Sequence, residues 1–225
     1  MVEVSTSILS IDKENAIKTL YNIETAKTDY FHIDVMDGKF VKNNTNDVML
    51  EYCEYLNSIT TVPLDVHLMV EDVEQYIKSY LVFEPNTITF HYEVAKNEEE
   101  LKKWIDLLKK NNCKVGVSIK PETPVEKIYK LLPYVHLVLV MTVEPGEGGQ
   151  KLIDDCALKI QKLKQYIDEN NLDVYIEADG GINTENAEKL VNAGCDIIVS
   201  GTAITKSNNF AETIKKLKNA WQFEI

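Results

Sequence analysis

The sequence is poor in the residues that mark special architectures. Only 9 glycines and 6 prolines occur among 225 residues, which excludes collagen-like or linker-like material. The four cysteines, Cys53, Cys113, Cys156 and Cys195, stand far apart with no Cys-x-x-Cys pair, so neither a zinc ribbon nor a dense disulfide framework fits. They read as reduced, mostly buried thiols of a cytoplasmic protein. No apolar run approaches the roughly 18 residues of a membrane span, and Leu137–Met141 is strand-sized. The N-terminal stretch carries Glu3 and Asp12 and no basic segment followed by an apolar run, so no signal or transit peptide is expected. Positive charge is in the minority: 24 Lys+Arg against 36 Asp+Glu leave a net charge of −12, which repels phosphate backbones and anionic lipid. Nucleic-acid and membrane partners are therefore not expected. An anionic ligand would have to be held locally, by backbone N–H groups and helix N-termini.

What is present is ordinary for a globular chain, with 44% hydrophobic and 27% charged residues. Short apolar or β-branched runs alternate with charged amphipathic segments from end to end. Strands are expected near Val2–Leu9, Tyr30–Val35, Leu64–Leu68, Thr87–His91, Lys114–Ile119, Leu137–Met141, Val174–Ala178 and Asp196–Ser200. Helices are expected near Asp12–Thr25, Asp47–Leu56, Val73–Tyr80, Asn97–Lys110, Val125–Leu131, Asp154–Glu169, Thr184–Ala193 and Phe210–Trp221. Strands such as Leu137-Val-Leu-Val-Met141 look buried on both faces, as a helix-covered parallel sheet requires. Eight regular units without a linker favour one α/β domain over residues 1–225, a closed (β/α)8 TIM barrel. No Gly-x-Gly-x-x-Gly follows the first strand, which weakens an open dinucleotide-binding sheet.

A barrel places its chemistry at the C-terminal ends of its strands. Period-two alternation puts His32 and Asp34 on one face of the second strand. The third strand ends in Asp65-Val-His67-Leu-Met69 and the seventh in Glu177-Ala-Asp179-Gly180-Gly181. Two imidazoles and two carboxylates from these ends suit a divalent transition metal, Zn, Fe, Mn or Co, because buried charges of this kind cost several kcal/mol each unless paired or bound to an ion. The glycine-rich stretch Val143-Glu-Pro-Gly-Glu-Gly-Gly-Gln150, with Gly180-Gly181 and Ser200-Gly-Thr-Ala203, reads as an anion cradle, with a short helix expected near Thr202. His91 and His136 are expected to be structural, Met36, Met69 and Met141 to fill core or wall the ligand, and the run from Lys96 to Lys110 to form a solvated helix face.

These segments together resemble the ribulose-phosphate 3-epimerases of the pentose phosphate pathway. The matching stretches are Ser7-Ile-Leu-Ser10, His32-Ile-Asp-Val-Met-Asp-Gly-Lys-Phe-Val41, Asp65-Val-His-Leu-Met-Val70, Thr89-Phe-His91, Pro145-Gly-Glu-Gly-Gly-Gln150, Asp179-Gly-Gly-Ile182 and Ser200-Gly-Thr-Ala203. The resemblance implies one divalent ion held by His32, Asp34, His67 and Asp179, with Asp34 and Asp179 also the acid/base pair. It implies substrate contacts from Ser7 and His67, an apolar wall of Met36, Met69 and Met141, and a phosphate site around Gly146, Gly148, Gly149, Gly181, Gly201 and Thr202. The implied reaction inverts C3 of D-ribulose 5-phosphate to give D-xylulose 5-phosphate through a cis-enediolate. The family's proline is replaced by Thr6 before Ser7 and by Lys42 after Val41, which would loosen the loop after the second strand. Glu144 and Glu147 stand where the family has asparagine and phenylalanine, and Glu147 is expected to point to solvent.

Alternatives are the same chemistry on a hexulose 6-phosphate, a metal-independent decarboxylase-type barrel with a Lys-Asp set, and a non-catalytic phosphate-binding barrel. The absence of a lysine in Asp65-Val-His67 argues against the second, and the complete ligand set against the third. A homo-oligomer is left open.

Overall fold

A computed structural model describes residues 1–221. Eight parallel strands close into a barrel in simple sequential order. They are β1 (Glu3–Ser7), β2 (Tyr30–Met36), β3 (Leu64–Met69), β4 (Thr87–His91), β5 (Lys114–Ile119), β6 (Leu137–Met141), β7 (Tyr175–Asp179) and β8 (Ile197–Ser200). Closure is completed by pairing of β1 with β8, Glu3 opposite Ile197 through Thr6 opposite Ser200. The helices are α1 (Ala16–Thr25), α2 (Asn46–Ile59), α3 (Val73–Tyr80), α4 (Glu98–Lys110), α5 (Cys156–Glu169), α6 (Ala187–Asn192), α7 (Thr202–Thr205) and α8 (Phe210–Lys218). The last four residues of the expected domain lie outside the described residues.

The alternation of each strand sorts residues between two environments. Outward-facing Phe31, Ile33, Val35, Val66, Leu68, Val138 and Val140 join the helices' apolar faces in one large core between barrel and helix ring. Leu137, Leu139, Met141 and Ile197 form a smaller apolar cluster of their own. Polar side chains are also buried inside: Ser5, His32, Asp34, Asp65, His67, Thr89, His91 and Glu177 are all under 5% exposed. Crowding inside is severe at Gly116, where a Cβ would lie 2.0 Å from the Thr89 Oγ1 on the neighbouring strand. Only glycine lets β4 and β5 pair at this point.

Local signals explain the helix ends. Asp72, Asn97 and Asn209 each accept the backbone N–H of the third residue of the helix that follows, at 2.9–3.2 Å. α8 ends at Lys218 rather than running to Trp221, with Lys215, Lys216 and Lys218 in its last turn, where cations favour the carbonyl end. One expected helix is corrected. Val125–Leu131 forms no α-helix; two 3₁₀ turns, Val125–Ile128 and Leu132–Tyr134, occupy the β5–β6 connection. Pro124 and Pro133 bracket too short a stretch, and Pro133 disfavours helical backbone at Leu132. Similarly, the first residues expected in α1 form a 3₁₀ turn, Lys13–Asn15, before the α-helix begins.

The loop after β2, which contains Lys42, is anchored at its start by Asp37. Its carboxylate accepts the N–H groups of Lys39 (2.8 Å), Phe40 (2.9 Å) and Glu71 (2.7 Å). Thr6 is buried without difficulty, its hydroxyl 2.7 Å from that of Thr28.

Candidate active site and metal centre

The pairing of β2 with β3 places His32 beside Asp65 and Asp34 beside His67. β7 brings Asp179 to the same end of the barrel, beside Met141 of β6. Single ligand atoms of His32, Asp34, His67 and Asp179 lie within 4.8 Å of one another. Asp34 Oδ1 is 3.5 Å from His32 Nε2 and 3.7 Å from His67 Nδ1. Asp179 Oδ2 is 3.8 Å and 3.5 Å from the same two nitrogens. Bonds of about 2.1 Å to a tetrahedral ion would set such ligand atoms roughly 3.4 Å apart, so the spacing fits. His32 Nε2 and His67 Nδ1 are buried with no hydrogen-bond partner, the state expected of nitrogens whose partner is an ion. The four residues that the sequence brought forward for the metal thus converge and suit one.

Electrostatics bind the cluster together. Burial alone would raise the Asp34 carboxyl, but the two imidazoles hold it well below the usual carboxylate range. Burial would lower the His32 imidazole, yet Asp65 and Asp34 raise it well above its ordinary value. His67 is raised as well, since Asp179 and Asp34 outweigh its burial. A divalent ion held there would need each ring neutral with one bare nitrogen, so its binding would strengthen as pH rises.

Above the cluster opens a cavity of about 470 Å³, lined by Ser7, Asp34, Met36, Met69, Met141 and Asp179 at its inner end. Ser7 Oγ donates to Asp34 Oδ2 at 2.7 Å. The three methionines form apolar wall, each no more than 2% exposed. His67 does not line the cavity. It is fully buried beside it and turns Nδ1 toward the two carboxylates.

At the outer end the lining is Gly146, Gly148, Gly149, Gly181, Gly201 and Thr202, joined by Ser10, Asn183 and Ala203. α7 begins at Thr202, as expected, and its first N–H groups lack partners within the helix. Gly181 has φ +68°, and a Cβ there would lie 2.5 Å from Leu152 N and 2.6 Å from Gln150 O. The glycine thus lets β7's end meet the loop after β6. The chain contains no arginine and no lysine lines this cavity, so the cradle is one of backbone and hydroxyl groups. Glu144 and Glu147 are exposed at its rim. Asn43 Nδ2 donates to the Gly146 carbonyl at 2.7 Å and ties the loops after β2 and β6 together.

Several residues of the site were quoted in the sequence without a role. Asp65 accepts His32 Nδ1 at 2.6 Å and Ser5 Oγ at 2.8 Å. Glu177 is fully buried, and burial, with the Asp65 carboxylate beside it, pushes its carboxyl well above the ordinary range. His91, expected to be structural, sits 2.9 Å from His67 through the two Nε2 atoms. Period two was the available signal: Asp65 and Glu177 precede His67 and Asp179 by two residues and share their faces. His136 lies at the opposite end, stacked on Tyr175, as expected of a structural residue.

Comparison with known proteins now bears on this geometry. The family model described as "Ribulose-phosphate 3 epimerase family" matches residues 3–205. The chain belongs to the ribulose-phosphate 3-epimerase family. Its relatives include the ribulose-phosphate 3-epimerase of Methanocaldococcus jannaschii, 38% identical over 98% of this chain and 91% of that one. The Bacillus subtilis enzyme of the same name is 36% identical over 98% of this chain and 100% of its own. Among solved structures, 3-hexulose-6-phosphate synthase from Salmonella typhimurium superposes with a TM-score of 0.70 at 15% identity, covering 97% of each chain, which speaks to the shared barrel alone. The protein is an epimerase of the isomerase class. Among the described residues no helix is long and apolar enough to cross a membrane.

Proposed function

We propose that this epimerase interconverts D-ribulose 5-phosphate and D-xylulose 5-phosphate at C3, as a step of the pentose phosphate pathway in the cytoplasm. Support comes first from the names of the relatives and from the family match. Within the chain, one observation carries the proposal: two carboxylates, Asp34 from β2 and Asp179 from β7, line the same end of the cavity above a pair of buried imidazoles.

Inverting C3 requires removal of a proton alpha to the C2 carbonyl and return of a proton to the other face. Two carboxylates on different strands can flank the planar intermediate, one starting ionised and the other protonated. Ser7 holds Asp34 in place by its hydrogen bond. His32, Asp34, His67 and Asp179 would hold one divalent ion, Zn, Fe, Mn or Co. Bound there, it supplies Lewis-acid stabilisation of the negative charge that develops on the C2 and C3 oxygens. Met36, Met69 and Met141 keep water from the reacting carbons. The N–H groups near Gly146, Gly148, Gly149, Gly181, Gly201 and Thr202 take the phosphate, so that binding energy gained far from C3 orients the reacting end. Four buried, reduced thiols suit a cytoplasmic enzyme.

Parallel assays on D-ribulose 5-phosphate and on a six-carbon 3-epimerisable ketose 6-phosphate test the substrate. A kcat/KM at least tenfold higher for the pentulose is expected; preference for the hexulose would replace it by the six-carbon reading.

A further inference from the structure

The two imidazoles of the site reach outward as well as inward. His32 Nδ1 meets Asp65 Oδ2 at 2.6 Å, and that oxygen also accepts Ser5 Oγ at 2.8 Å. A carboxylate oxygen already taking a hydroxyl proton is an acceptor, so the proton of this contact sits on His32 Nδ1 and, in the neutral ring that binds an ion, the Nε2 lone pair is left bare. His67 uses the other nitrogen. Its Nε2 faces His91 Nε2 at 2.9 Å, while His91 Nδ1 faces Glu93 Oε2 at 3.2 Å. Glu93 is itself held by the Lys120 N–H at 2.8 Å and the Thr123 hydroxyl at 2.5 Å. Glu93 accepts, so His91 carries its proton on Nδ1 and offers a bare Nε2. His67 must then donate from Nε2, which leaves its Nδ1 bare. The two nitrogens left bare, His32 Nε2 and His67 Nδ1, are the two buried orphans that face Asp34 and Asp179. Packing fixes the second chain in place: His91 stacks on His67 with centroids 5.0 Å apart and meets Phe40 at 4.8 Å.

We propose that Asp65 and the His91–Glu93 pair are positioning residues that lock His32 and His67 into opposite tautomers, each turning one lone pair toward the divalent ion. This rests on the metal centre of the proposed function and deepens it. One chain runs within β1, β2 and β3; the other crosses from β3 through β4 to the loop after β5. Outer partners of this kind, when removed, weaken metal affinity by about 10- to 100-fold. Amide replacements test the polarity because they keep shape and reverse the proton. In Asp65→Asn the new NH2 group can donate to His32 Nδ1 and drive the ring proton to Nε2, where it blocks the ion. In Glu93→Gln the amide can donate to His91 Nδ1, so that His91 donates to His67 and moves the His67 proton to Nδ1.

The experiment uses the full chain, stripped by chelator and titrated with zinc against a chromophoric competitor, with ¹⁵N-histidine NMR on the zinc-loaded parent. The zinc dissociation constant should rise about 10- to 100-fold in each variant, while the melting temperature of the zinc-free protein, which a merely structural role would move, shifts little. In the parent spectrum His32 should carry its proton on Nδ1 and His67 on Nε2. Zinc affinity within threefold of the parent in both variants, or the same nitrogen protonated in both rings, overturns the proposal. The parent spectrum decides the matter if a variant does not fold. A parent that binds no zinc at all overturns the metal centre itself, a result distinct from a parent that binds while the variants bind equally well.

Discussion

Replacing Gly181 by alanine should damage substrate binding more than it damages the barrel. Gly181 sits at φ +68°, where a residue with a Cβ loses about 1–2 kcal/mol relative to glycine. The added methyl would lie 2.5 Å from Leu152 N, 2.6 Å from Gln150 O and 3.1 Å from Leu152 Cα. All three are backbone atoms and cannot rotate away, so the loop after β6 must shift outward. Overpacking of this order costs about 1–3 kcal/mol, which with the backbone term makes roughly 2–5 kcal/mol in all. For a chain of this size that lowers the melting temperature by about 5–15 °C, well short of unfolding at 25 °C. The shifted loop carries Gly146, Gly148 and Gly149, which line the cavity with Gly181 itself. Loss of one hydrogen bond to a charged phosphate is worth about 1.5–3 kcal/mol, or roughly 10- to 100-fold in KM. The assay compares KM for D-ribulose 5-phosphate with kcat/KM for unphosphorylated D-ribulose. The first should worsen by that factor and the second should stay within about threefold. A variant with parental KM and a melting temperature within 2 °C would refute both the strain and the phosphate assignment.

Other outcomes follow from the same geometry. Asp34→Asn and Asp179→Asn should each lower kcat by about 10³-fold or more while circular dichroism shows a folded barrel, since in the proposed mechanism each removes a general acid/base worth roughly 10²–10⁴ and a metal ligand; near-normal turnover in either defeats the two-carboxylate scheme. Burial pushes the Cys53 and Cys113 thiols up to about 12, so neither should react with iodoacetamide at pH 8.5 until denaturant is added, and peptide mapping showing rapid labelling in buffer would contradict the packing of β2 against α2 and of β5 against α4. Glu147 is exposed at the rim, so Glu147→Phe should change KM by less than about tenfold; a larger fall would mean that its charge faces the bound phosphate.

The barrel was legible because its strands carry two signals at once. Val138 and Val140 face the helices while Leu137 and Leu139 face inward, and only a covered parallel sheet makes both sets apolar. His32, Asp34, His67 and Asp179 were legible because strand alternation and barrel polarity together say which end and which face they occupy. The 3₁₀ connection after β5 was not, because an amphipathic spacing over so few residues fits either helix type and Pro133 decides between them. Asp65 and Glu177 share faces with the proposed ligands His67 and Asp179, but their surroundings depend on which strands lie beside β3 and β7 and how the register runs. His91 shows this most plainly. Read alone it is a strand-end histidine with a nearby glutamate, and its contact with His67 exists only once β3 and β4 pair with Leu68 opposite Phe90.

One sample tests the centre of the account: C3 deuterium exchange on D-ribulose 5-phosphate in D2O, with metal analysis of the same protein. The account predicts solvent deuterium at C3 of the product, one divalent ion per chain, loss of both ion and activity on chelation, and recovery when the ion is returned. Epimerisation without solvent deuterium, or full activity in a preparation that holds no metal, would contradict it.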